Sequence, residues 1–93
     1  MEVLYKFNFE TSFGFPLYGL FIAEKEKIEE LINSGKIVYF GKIDEKDVFG
    51  PVEKCDITNV TIDEKVLAVV KAFKLEHGIN PLKYPLIDKS EII

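Results

Sequence analysis

Val3, Tyr5, Phe7 and Phe9 alternate with Leu4, Lys6, Asn8 and Glu10 at the start of the chain. A period of two places the first set on one face of a strand and the second, wetter set on the other. Thr11 to Phe15 holds Ser12 and Gly14 as turn formers, and Pro16 suits a strand start. The next run, Leu17 to Ala23, is almost continuously apolar. A hairpin is expected, with its second strand buried on both faces and Gly19 marking a bulge or a close packing contact.

From Glu24 the period changes. Ile28, Leu31 and Ile32 fall at i, i+3 and i+4, acids occupy the first turn and Gly35 supplies a C-cap, which predicts a short amphipathic helix with Glu26, Glu29 and Glu30 in solvent. Ile37 to Phe40 returns to strand character, and Asp44-Glu45-Lys46-Asp47 reads as a polar turn. Gly50-Pro51 interrupts the stretch from Val48 to Val60, so an edge strand is expected from near Val52 to Thr58. Thr61 and Glu64 stand at capping-box spacing before a second helix, with Val66, Val69, Val70 and Phe73 along one side. That helix is predicted to run to Gly78. His77 then lies within about 20° of Val66, in the last turn.

The order is ββαββα, and Ile22-x-Glu24-Lys25 recurs at an offset of 40 as Ile62-x-Glu64-Lys65. The expected fold class is α+β: a two-layer sandwich of one four-stranded, mainly antiparallel sheet with two helices on one face. Residues 1–78 form a single domain in this reading. Residues 79–93 form an extended C-terminal tail whose Leu82, Tyr84, Leu86, Ile87, Ile92 and Ile93 are too apolar to float free. The tail is expected to pack on the domain or on a neighbouring subunit, and the sheet face without helices demands a cover of the same kind, so a homo-oligomer is expected.

Ninety-three residues suffice for one modest core. All twelve cations are Lys, with no Arg, and the net charge is −4. The usual tool for clamping phosphates and reading guanine is therefore missing, and nucleic acid is not an expected partner. No run of 18 apolar residues and no leader-like start is visible, so neither a membrane nor export is expected, and the expected location is cytoplasmic. Cys55 has no second cysteine to pair with and reads as a small buried apolar residue.

Catalytic chemistry finds little to stand on. His77 is the one imidazole, and its place in a last helical turn is explained by helix capping. Ser12, Ser34 and Ser90 sit in turn or tail contexts, and Asp44, Glu45 and Asp47 lack the ligand spacing of a cation loop. The six glycines are scattered singly, so no phosphate cradle forms. No catalytic residue, metal ligand or cofactor is assigned, and an enzyme is not expected.

Eight Phe and four Tyr carry more information. Phe13 and Phe15 flank the hairpin glycine, Tyr18 and Tyr39 sit on strands, and Tyr84 lies in the tail; these five are the candidate partner- or ligand-binding residues. The favoured function is a small non-enzymatic protein-interaction module, an inhibitor or regulatory subunit, acting as a homo-oligomer. The alternative is a binding or sequestering protein for a nucleotide-like metabolite, with an aromatic-lined pocket at a subunit interface and a Lys such as Lys42 or Lys54 beside it. An enzymatic reading would have to rest on His77 with nearby acids and Tyr.

Overall fold

A computed structural model describes residues 1–88, so Ser90, Ile92 and Ile93 of the expected tail lie outside the described residues. The chain runs β1 (Glu2–Glu10), β2 (Pro16–Glu24), α1 (Lys25–Ser34), β3 (Ile37–Ile43), β4 (Lys46–Pro51), a 3-10 turn (Lys54–Asp56), β5 (Ile57–Thr61), α2 (Glu64–Ala72), β6 (His77–Gly78), a second 3-10 turn (Pro81–Lys83) and β7 (Leu86–Ile87). Among the described residues the fold is α+β, with two helices and antiparallel sheets.

The β1–β2 hairpin is the centre of the four-stranded sheet, whose order is β5-β1-β2-β6. Its register sets Val3 opposite Ala23, Tyr5 opposite Phe21 and Phe9 opposite Leu17, so the odd-numbered side chains of both strands share one face. That face carries too much apolar area for α1 alone, which buries only Ile28 and Leu31. Val38 and Phe40 of β3 and Val48 of β4 complete the cover. This is why β3 and β4 do not extend the first sheet, as expected from sequence, but stack on it as a second sheet of order β4-β3-β7. Aromatic rings join the layers: Phe40 lies 6.0 Å from Phe7 and 5.3 Å from Phe9, centroid to centroid.

The even-numbered face holds a smaller cluster, in which Leu67 and Val70 of α2 meet Leu4, with Leu20 and Ile22 beside it. The two helices therefore lie against opposite faces of the β1–β2 hairpin, a correction to the expectation of one shared face. Leu4 of β1 with Leu20 and Ile22 of β2, all at even positions, are the reason: each face of the hairpin needs its own partner. α1 covers the odd-numbered face and ends at Gly35, whose φ of 64° is the left-handed cap its sequence implies.

Two boundaries differ from expectation. The interrupted stretch around Gly50-Pro51 resolves into the end of β4, the 3-10 turn and then β5, which pairs with β1 through Phe7 opposite Ile57. α2 starts from Asp63, whose carboxylate accepts from the Lys65 N–H at 2.8 Å, while the Thr61 hydroxyl accepts from the Asp63 N–H. It ends at Ala72, before a left-handed turn at Lys74 (φ 52°): the Lys74 N–H donates to the Lys71 carbonyl and the Leu75 N–H to the Val70 carbonyl. His77 is consequently not helical. It lies in β6, paired with Leu20.

Residues 79–88 are stitched to both sheets. The Ile79 N–H donates to the Tyr18 carbonyl at 2.8 Å, the Tyr39 N–H donates to the Pro85 carbonyl at 2.9 Å, and Leu86–Ile87 pair with β3.

Candidate functional site

The five aromatic residues singled out from sequence are not brought together. Phe13 and Phe15 stack at the hairpin tip with centroids 6.4 Å apart, and the Lys46 ammonium lies 5.0 Å above the Phe13 ring. Phe13 is exposed, whereas Phe15 packs against the main core. Tyr18 is exposed on the even face of β2. Tyr39 is on the other sheet, its hydroxyl donating to the Asp47 carboxylate at 2.7 Å, and that bond to Asp47 holds the phenol above its ordinary pKa. Tyr84 tilts against Phe40, 5.4 Å between centroids, as the last member of the aromatic run through the core. Lys42 and Lys54 are both exposed, one on β3 and the other in the 3-10 turn.

A cleft of about 390 Å³ opens beside β6, lined by Leu20, Glu76, His77, Asn80, Lys83 and Tyr84 among others. Two of its polar groups are already engaged in holding the backbone. The Glu76 carboxylate accepts from the Ile22 N–H at 2.7 Å, and the Asn80 side chain accepts from the Leu82 N–H at 3.0 Å. Among the described residues no group of three or more His, Cys, Asp and Glu is placed to hold a metal ion. Cys55 is exposed rather than buried, because the 3-10 turn that carries it points outward. The Asp56 charge, then partial burial and the Glu53 charge, hold its thiol above the ordinary range. Its nucleophilicity at neutral pH is correspondingly low.

The feature that stands out is the outer surface of α2. Leu67 and Val70 face the sheet, and the remaining apolar residues of the helix and its cap, Val66, Ala68, Val69, Ala72 and Phe73, all face solvent. Val69 is 49% exposed and Phe73 72%. Val60, Ile62 and Leu75, on the segments that lead into and out of the helix, are about half exposed as well. Only Glu64, Lys65 and Lys71 are polar within the helix, and Lys71 is drawn to one side by an ion pair with Glu2. α1 is the internal contrast: Lys25, Glu26, Lys27, Glu29 and Glu30 form its wet face, with Lys25 and Glu29 paired along it. A helix that is apolar all round belongs in an interior, so α2 is a surface helix with the composition of a buried one. It also leaves part of its own sheet face open, since Lys6, Asn8 and Tyr18 lie beyond it toward the hairpin tip.

The sequence pattern assigns Val66, Val69, Val70 and Phe73 to one buried side; in the structure only Val70 of these is core, and Leu67 is its companion. The signal that identifies this surface is countable without coordinates: three polar residues in nine cannot supply a wet face. No protein-family model matches this chain, and neither a curated protein nor a solved structure matches it. Among the described residues no helix is long and apolar enough to cross a membrane.

Proposed function

We propose that the chain is a small non-enzymatic protein-interaction module, of the inhibitor or regulatory-subunit type, that docks through the outer face of α2. The observation that carries this reading is that face itself: Val66, Val69 and Phe73 exposed on a helix with almost no polar side, continuous in sequence with Ile62 and Leu75. A convex apolar ridge offers no enclosure for a small solute, whereas a protein surface can bury it. A cytoplasmic setting suits an unpaired Cys55.

The test is a photo-reactive side chain. Introduced at Val69 it should give covalent adducts with protein on irradiation, while the same group at Glu29, on the wet face of α1, should give none; absence of any adduct at Val69 overturns the reading. The alternative, a binder of a nucleotide-like metabolite, draws on the cleft beside β6, where Lys83 and His77 could meet an anionic group and Tyr84 a ring. A small co-purified mass in native mass spectrometry would favour it.

A further inference from the structure

We infer that the partner of the α2 face is a second copy of this chain, docked with the two α2 helices antiparallel, an inference that rests on reading that face as an interaction surface. Three features make the face complementary to itself. Val66, Val69 and Phe73 are spaced by three and then four residues, the spacing of a helix–helix seam, and two identical seams interleave about a two-fold axis. Such an axis crossing the helices reverses one relative to the other. The two helix dipoles then oppose, which is the second feature. A parallel pair would align the two dipoles.

The third feature is area. From their fractional exposures, Val60, Ile62, Val66, Val69, Phe73 and Leu75 leave on the order of 500 Å² of side chain uncovered per copy. Full burial of all six in both copies would remove at most about 1,000 Å² of surface before any polar rim is counted, the floor for a specific interface. A lipid surface fits less well. Helices that lie on membranes carry a strongly basic polar face, and this chain has a net charge of −4.

Sedimentation velocity from about 1 µM to about 500 µM, combined with the Val69 photo-adduct, tests the inference. The expected result is reversible formation of a species of twice the 10.7 kDa chain mass, and an adduct of that same mass. Val69→Asp should weaken the association at least tenfold, roughly the effect of charging the centre of an apolar contact, with the far-UV circular dichroism unchanged. Should that variant fail to fold, Phe73→Ser, at a more exposed position, gives the same readout. A chain that stays monomeric throughout, or a dimer that persists in both folded variants, overturns the inference. The two readings separate cleanly: an adduct of Val69 with a different protein removes the second copy and keeps the interaction surface, whereas no adduct removes both.

Discussion

Gly19 and Gly78 pair across β2 and β6, and each is needed because another backbone occupies the space of a side chain. A Cβ on Gly19 would overlap the Ile79 carbonyl, and one on Gly78 the Tyr18 carbonyl. Relief would require the main chain to move, which is the costly form of overpacking. Gly19→Ala is therefore expected to cost about 3 kcal/mol and to lower the melting temperature by roughly 10–25 °C for a domain of this size. Thermal unfolding followed by circular dichroism measures it, and a melting temperature within a few degrees of the parent would contradict the close approach. The glycine in an apolar run is readable from sequence as a close-packing position, but its contact, Ile79, is 60 residues distant and no local pattern names it. Cys55 and His77 show the same limit from the other side. Residue type and expected element together assign each a place, and each changes environment once the element does: Cys55 to an outward 3-10 turn, His77 to a strand edge.

The elements themselves are legible where side chains alternate or repeat strongly. β1 and α1 need only periods of two and 3.6, and both are where those periods put them; β2 is marked by its continuous apolar run, but it is buried on its odd-numbered face alone, with Tyr18 exposed and Leu20 and Ile22 part-covered on the other. The end of α2 is not legible because its left-handed terminal residue is Lys74, not glycine, so the pattern runs on to Gly78. The turn between β3 and β4 repeats this choice. Ile43 pairs with Lys46, leaving Asp44 and Glu45 as a two-residue loop with φ of 53° and 67°. Positive φ at both positions is the signature of the turn that suits a hairpin's twist, and Asp-Gly or Asn-Gly is its preferred content. Glu45 holds a conformation that disfavours a side chain by about 1 kcal/mol. Glu45→Gly should accordingly stabilise the protein by roughly 0.5–1 kcal/mol, seen as an increase of a few degrees in melting temperature. A decrease would mean that the Glu45 side chain makes a contact worth more than the strain.

At the scale of the whole molecule, two clusters sit on either side of one hairpin, and the larger is closed by a segment that adds only a two-residue strand of its own. Residues 79–88 cross from β2 to β3 and hold the two sheets together through the Ile79–Tyr18 and Tyr39–Pro85 hydrogen bonds. Their aromatic anchor in the core is Tyr84, beside Ile79 and the buried Pro81, and its ring continues the line from Phe7 and Phe9 through Phe40. Sequence alone makes Tyr84 a candidate binding residue because a tail aromatic has no local partner; packing on Phe40 gives it one 44 residues away. These roles make opposite demands on a truncation. If the ring is an anchor, Tyr84→Ala removes a partly buried aromatic contact and should cost about 2 kcal/mol, lowering the melting temperature by roughly 8–16 °C. Hydrogen exchange at the Ile79 and Tyr39 amides should accelerate with it, since both bonds depend on the segment staying seated. Tyr84→Phe keeps the ring and should remain within about 0.5 kcal/mol of the parent. A ring that serves only as a ligand platform in the cleft would leave both the melting temperature and the two amides unchanged, and the order in which stability and exchange respond to these two variants decides between the roles.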